Sequence, residues 1–304
     1  MPNRRERGDW QTPEALAHEV LARVQAVGVA PPACVLEPTC GTGTFLAAAA
    51  EAFPNARLVG YELNAAYAKQ ARARVQASAL AQVQVRVANF FELDWRRELA
   101  ALPDGPLWIV GNPPWVTSAT LGTLGSRNLP RKQNSAKLKG LDARTGKSNF
   151  DVSEWMLARL LEALHGRRDA TLAMLCKASV ARKLIVHATT NGLQLTPGGL
   201  WRIDSRAHFQ AAVDAVLFVA RTGGGESAPK EPLRWPVHDE LRDSRPRALL
   251  QLQDGSLLAD AAAFARTAQL AGRSEPAWRS GLKHDCARVM ELRRDARGAL
   301  RNGL

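Results

Sequence analysis

Between about residue 14 and residue 220, short apolar runs alternate with Ala-rich stretches of helical length. Cys34-Val35-Leu36 is the first run and stops at Glu37-Pro38. Arg57 to Tyr61 is the second, and a helical stretch, Ala65 to Ala77, follows it. Val83 to Val87 places β-branched residues at alternate positions, and Leu107 to Val110 stops at Gly111. Ala170 to Cys176, Trp201 to Ile203 and Val213 to Val219 complete the set. Strands separated by helices predict an α/β fold: a doubly wound, mainly parallel, seven-stranded sheet of Rossmann-like type, covered on both faces. The last two runs have no helix of good length between them and predict an antiparallel hairpin at one sheet edge.

Two stretches break this rhythm. Residues 116–149 are rich in Gly, Ser and Asn and carry Arg127, Arg131, Lys132, Lys137, Lys139, Arg144 and Lys147. A loop this long is usually functional or disordered, and a basic mobile loop is expected. From Gly223-Gly224-Gly225 to Pro232 the composition shifts to that of a linker. The expected organisation is a main domain over residues 1–222 and a small C-terminal extension over 223–304, with a helical piece at Leu257 to Leu270.

Charge changes the picture on the side of partners. The formal net charge of +12 attracts polyanions, of which nucleic acid is the commonest. The four cysteines are scattered and form no CxxC pair, so no metal site and no redox motif is expected. Met1 to Asp9 is charged, with no apolar run behind it, and no apolar stretch is long enough to span a bilayer. A soluble, cytoplasmic protein with no membrane partner is the expectation.

Candidate chemistry concentrates at strand ends. Glu37-Pro38-Thr39-Cys40-Gly41-Thr42-Gly43-Thr44-Phe45 joins the first strand to a helix, where open α/β sheets bind ligands. Gly41 and Gly43 permit close backbone approach. The spacing is neither G-x-G-x-x-G nor a P-loop, which argues against a nicotinamide dinucleotide and a nucleoside triphosphate. Glu62, at the end of the second strand, can accept hydrogen bonds from two ribose hydroxyls. Phe90 can stack on an adenine ring, and Asn89 can bond its edge. Asn112-Pro113-Pro114-Trp115 follows the fourth strand directly. An aromatic amino nitrogen is a poor nucleophile because its lone pair is delocalised. Two acceptors, the Asn112 side-chain oxygen and the Pro113 carbonyl, can take both amino hydrogens and localise that pair. The two prolines fix φ and remove competing N–H donors, and Trp115 offers a flat face for a base outside the helix.

With these motifs in place the chain resembles the S-adenosylmethionine-dependent adenine-N6 DNA methyltransferases of restriction–modification systems. Asp9-Trp10-Gln11-Thr12-Pro13 is similar to that family's N-terminal cofactor motif, Glu37 to Phe45 to its main cofactor loop, and Asn112 to Trp115 to its catalytic motif. Trp115 stands where Tyr or Phe is commoner, and Asn89 where an acid is common. The motif order resembles the gamma arrangement, with target recognition last, but residues 223–304 are short for a full target-recognition region. The resemblance implies a class I methyltransferase fold and S-adenosyl-L-methionine as cofactor, held by Trp10, Thr12, Pro13, Glu37, Pro38, Cys40, Gly41, Gly43, Phe45, Glu62, Asn89, Phe90 and Asn112. It implies double-stranded DNA as substrate, with a separate restriction endonuclease or specificity partner. Asn149 and Phe150 are expected to line the pocket, Arg131 and Lys132 of the basic loop to meet phosphates, and Phe209 to pack on the flipped base. Three alternatives stay open: an RNA base methyltransferase, a protein glutamine methyltransferase, and an inert DNA-binding subunit of the same fold. The run Trp278 to Asp285 could contact DNA, and no PD…(D/E)xK pattern gives it nuclease chemistry.

Overall fold

A computed structural model of the chain describes residues 10–76, 82–117, 151–222, 232–270, 272, 293–295 and 298–301. Arg131, Lys132, Asn149, Phe150 and the run 278–285 lie outside the described residues. The chain divides into two compact units, Met1–Phe264 and Ala265–Leu304. Within the second, β11 (Arg293–Arg294) and β12 (Leu300–Arg301) form an antiparallel pair, braced by Arg301 Nε donating to Asp295 Oδ2 at 2.9 Å.

The first unit is built on a ten-stranded sheet. Its parallel half comprises β1 (Cys34–Glu37), β2 (Arg57–Glu62), β3 (Val83–Val87), β4 (Leu107–Gly111) and β5 (Ala170–Lys177), in the order β3-β2-β1-β4-β5. β7 (Ala215–Thr222) runs antiparallel between β5 and β6 (Leu195–Ile203). This is the doubly wound, mainly parallel arrangement that the alternation of strands and helices predicts, with one antiparallel strand inserted beside β5.

Burial explains why these segments are strands. β1 and β4 are buried along their whole length, as central strands covered on both faces must be. Alternate residues feed opposite cores. Leu36, Leu107 and Ile109 join the cluster under α4 (Trp95–Ala100), α5 (Val152–Ala163) and α6 (Ala178–Thr190). Val35, Trp108 and Val110 join the cluster under α1 (Glu14–Ala26), α2 (Thr44–Ala52) and α3 (Ala65–Gln76). The alanines of α2 let it lie close to the sheet, where a Cβ on Gly60 would come within 2.7 Å of Leu46 Cδ1.

The hairpin of β6 and β7 is antiparallel, as expected, but it does not form the edge. β8 (Arg234–His238) pairs in parallel with β6, and β9 (Ala248–Gln253) and β10 (Ser256–Leu258) follow outward. Three strands from beyond residue 222 therefore extend the expected seven. Their anchor is aromatic. Trp235 is buried and stacks on Phe218 at 5.2 Å, and His238 stacks on Trp201 at 4.7 Å. Trp201 Nε1 donates to the Asp243 carbonyl, and Arg23 of α1 donates to the Leu241 carbonyl. The helix expected from Leu257 starts only at Ala261, where Asp260 caps it by accepting from the Ala262 and Ala263 amides; α8 spans Ala261–Thr267. Leu257 instead belongs to β10, because Asp254-Gly255, with φ of 49° and 76°, makes the tight left-handed turn that closes a two-residue hairpin. α7 (Ser205–Phe209) is the short turn of helix between β6 and β7.

Candidate active site

Strand order reverses between β1 and β4, since the chain passes to β2 and β3 on one side and to β5 on the other. The crevice above the carboxyl ends of strands at such a reversal is where open α/β sheets bind ligands. An open cleft lies there, lined among others by Trp10, Thr12, Glu37, Cys40, Gly41, Glu62, Phe90 and Asn112. Pro38 and Pro114 also face it.

The glycine loop is held by backbone bonds. Cys40 N–H donates to the Tyr61 carbonyl at 2.8 Å, Gly43 N–H to the Cys40 carbonyl at 2.7 Å, and Gly41 N–H to Glu62 Oε2 at 2.9 Å. Gln11 adds a brace from the N-terminal segment, its Oε1 accepting from Thr42 Oγ1 at 2.9 Å. Gly43 has φ +83°, and a Cβ there would come within 2.8 Å of Ala71 Cβ. Gly43→Ala is expected to destabilise the protein by about 2–5 kcal/mol, combining roughly 1–2 for a left-handed backbone with roughly 1–3 for overpacking. A fall in the urea midpoint at unchanged m-value is the measurement; an unchanged midpoint would contradict this reading of the loop.

The charges in the cleft have one sign. Among the described residues that line it, the ionisable acids are Glu37 and Glu62, and there is no Lys, Arg or His. Both Glu62 oxygens accept backbone N–H groups, Oε2 from Gly41 and Oε1 from Asn64 at 2.7 Å. Glu37 differs. It is 3% exposed, and its Oε2 is buried with no hydrogen-bond partner among the described residues. Burial holds its carboxyl well above the usual carboxylate range; a bond from the Leu46 backbone opposes that shift, and the charge of Glu62 adds to it. Burial likewise pushes the Cys40 thiol up, so Cys40 is a small neutral wall. A buried acid without a partner beside a second acid suits a ligand that carries positive charge.

Asn112 faces this cleft from the end of β4. Its Nδ2 donates to the Trp10 carbonyl at 3.2 Å and lies 3.4 Å from Thr12 Oγ1. A carbonyl can only accept, so the nitrogen must be the atom facing Trp10. That leaves Oδ1, which is buried and has no partner among the described residues. The amide therefore presents a dry, oriented acceptor.

Several expected residues stand elsewhere. Phe45 is 1% exposed and packs in the core with α1, because the first turn of α2 rotates it away from the cleft. Gly43, Pro13 and Pro113 are not among the cleft-lining residues; Gly43 shapes the loop, and Pro13 precedes α1, its carbonyl accepting from the Ala17 amide at 3.1 Å. Asn89 uses its side-chain oxygen to accept from the Phe91 amide at 3.1 Å, capping a short 3-10 turn, while Phe90 reaches the cleft. Trp115 was expected to keep an open face. It is 6% exposed, donates from Nε1 to the Leu175 carbonyl at 3.4 Å, and meets Phe209 in a T-shaped contact at 5.2 Å. Phe209 thus touches the Asn112-Pro113-Pro114-Trp115 segment but is itself buried. Thr39, Thr44, Leu63, Tyr67 and Ala88 also line the cleft and were not foreseen.

The chain is also similar to known methyltransferases. A family model described as a methyltransferase domain matches residues 35–101, from β1 to the end of α4. The chain is 37% identical over 291 residues to the type II methyltransferase M.NspV of Nostoc sp., which covers 95% of this chain and 59% of that protein. It is 32% identical over 117 residues to the type II methyltransferase M.XamI of Xanthomonas campestris pv. amaranthicola, covering 38% of this chain and 21% of the other. The chain thus spans less than two thirds of either relative's length. Among solved structures, a class I S-adenosylmethionine-dependent methyltransferase of Listeria monocytogenes is similar at TM-score 0.48 and 13% identity, covering 77% of this chain and 67% of that one.

Proposed function

For a chain homologous to a type II methyltransferase along 95% of its length, we propose that the activity is transfer of a methyl group from S-adenosylmethionine to N6 of adenine in double-stranded DNA, as the modification part of a restriction–modification system. The carrying observation is the Asn112 amide, tied by its nitrogen to Trp10 and free at a buried oxygen.

The cleft fits the cofactor. S-adenosylmethionine carries a sulfonium and an ammonium against one carboxylate, a net positive charge, and among the described residues lining the cleft the two carboxyl groups, Glu37 and Glu62, have no basic side chain beside them. Glu37 would hold the ammonium, Glu62 the ribose hydroxyls, and Phe90 would lie against the adenine. When bound, the cofactor supplies an electrophilic methyl group. The remaining work belongs to the protein. Asn112 Oδ1 and the Pro113 carbonyl accept the two hydrogens of the target amino group, which returns its lone pair to nitrogen. The prolines on either side of that carbonyl stiffen it, so acceptor positions are fixed before the substrate arrives. No strong base is needed, because the extra proton leaves to solvent after transfer. The rest is proximity and alignment.

DNA as substrate is supported by the kinship with type II methyltransferases and by the net charge of +12. The target adenine is flipped from the duplex, since an acceptor at the floor of a cleft cannot reach a stacked base. A separately encoded endonuclease or specificity partner fits this role. Incubation with methyl-labelled cofactor, duplex DNA, bulk RNA and a mixed protein extract, followed by digestion, is expected to place label in N6-methyldeoxyadenosine. Label in N4-methylcytosine, RNA nucleosides or methylglutamine would overturn the assignment, and cofactor binding without transfer to any of them would support the inert subunit.

A further inference from the structure

Just past the tetrapeptide, the chain is tied down by residues that the motifs do not include. Trp115 Nε1 reaches the Leu175 carbonyl of β5, Thr117 forms an antiparallel bridge with Asp151, and Val152 N–H donates to the Val116 carbonyl at 2.9 Å. Thr117 and Asp151 are 34 positions apart in the sequence and are held side by side. Asp151 is the hub. Its Oδ1 accepts from Ser153 N at 3.0 Å and from Ser153 Oγ at 2.5 Å, and its Oδ2 accepts from Lys177 Nζ at 2.7 Å. The pair is well covered, with side-chain exposures of 10% for Asp151 and 23% for Lys177.

We infer that Asp151 and Lys177 are positioning residues that lock the segment Trp115–Thr117, and with it the acceptors of the tetrapeptide, to the carboxyl end of β5. Lys177 stands at that strand end, one register step past Cys176, in the row that pairs β5 with β7. Its ammonium reaches across to Asp151, the N-cap of the preceding helix α5, so one charge fixes the strand end, the start of α5 and the chain leaving the active site. Helix capping alone does not require this. The cap is made by Asp151 Oδ1 to the Ser153 amide, whereas Lys177 binds the other oxygen. A hydrogen-bonded ion pair this poorly exposed is also less screened than a surface pair.

The inference rests on the methyl-transfer reading for its kinetic arm only. Lys177→Met and Asp151→Asn each keep the cap acceptor and remove the ion pair. Each is expected to lower kcat roughly 10- to 100-fold, the scale of a small misplacement at a reacting centre, with KM for DNA and the cofactor dissociation constant unchanged. Lys177→Arg, which keeps the charge, is expected to restore most of kcat. Hydrogen exchange gives the second readout: the Val152 amide should exchange faster in Lys177→Met, while the Gly43 amide in the cofactor loop should not. Unchanged kcat in both variants, equal loss in Lys177→Arg, or an unaltered Val152 exchange rate would each overturn the clamp. If the wild-type chain transfers no methyl group to DNA yet Val152 exchange responds as described, the clamp stands and the assigned reaction falls.

Discussion

Asn112→Ala is expected to bind S-adenosylmethionine with near-normal affinity and to transfer its methyl group about 10²- to 10³-fold more slowly, the loss seen when one preorganised hydrogen-bonding group is removed from a reacting centre. The argument is geometric. Asn112 Oδ1 is buried and partnerless among the described residues, whereas the carboxyl groups lining the cleft belong to Glu37 and Glu62. Removing the amide therefore deletes an acceptor for the substrate without deleting a charge that holds the cofactor. Asn112→Asp sharpens the test. It keeps an acceptor, but it turns a second oxygen toward the Trp10 carbonyl, where Nδ2 now donates at 3.2 Å. Two acceptors repel, so the side chain must swing away, and the acid is expected to be as inactive as alanine. Single-turnover transfer with pre-bound cofactor is the measurement. Unchanged turnover in Asn112→Ala would remove Asn112 from the mechanism.

The second large effect concerns Glu37 and pH. Burial raises its carboxyl well above the ordinary carboxylate range, so the ligand-free protein holds a proton there to higher pH than an exposed acid would. A cationic ligand prefers the carboxylate, and binding must then release that proton. Cofactor affinity is expected to rise with pH until Glu37 of the free protein has titrated, by up to about tenfold per pH unit. Calorimetry in buffers of different ionisation enthalpy reads the proton directly. Glu37→Gln should abolish the release and weaken binding at alkaline pH roughly 10- to 100-fold, corresponding to about 1.5–3 kcal/mol for a charged hydrogen bond. Stability has the opposite sign. A carboxyl whose folded pKa is raised contributes stability that is fully present below its unfolded pKa and is lost as pH rises through the folded pKa. The ligand-free Glu37→Gln protein should therefore lose less stability than wild type as pH rises through the Glu37 titration. PH-independent cofactor affinity in the wild type would refute the coupling.

Much of this site was legible in the sequence because its parts sit at strand ends. Glu37, Glu62 and Asn112 each terminate an apolar run or directly follow one, and parallel strands carry all such ends to one side of a sheet. What failed to show was direction. Phe45 follows the glycine loop, but helix geometry turns it into the core. Trp115 follows two prolines that point it toward β5, where a carbonyl was waiting for its indole N–H. Tyr67 reaches the cleft from α3, and nothing in its neighbours in sequence announces that contact. Gln11 had a signal, its place between Trp10 and Thr12, but no chemistry that pointed to Thr42. The strands beyond residue 222 were hidden for a different reason. Pro236 sits inside β8, where proline argues against a sheet interior. Asp254-Gly255, the strongest short-range hairpin signal in that region, marked β9 and β10 all along.

The single-signed cleft has a consequence for competition inside a cell. Adenine nucleotides share the whole adenosine half of S-adenosylmethionine and differ at the other end, where they carry phosphates. A pocket that recognised adenosine through aromatic and ribose contacts alone would fill with them. Glu62, joined by Glu37 once a cationic ligand has drawn off its proton, disfavours a polyphosphate and favours a sulfonium, and no Lys, Arg or His stands among the described residues lining the cleft. On a chain with a net charge of +12, that acidic interior also keeps apart two tasks that need opposite potentials. On the methyl-transfer reading, the basic chain would draw in a polyanionic duplex, while the pocket favours a ligand of the opposite charge.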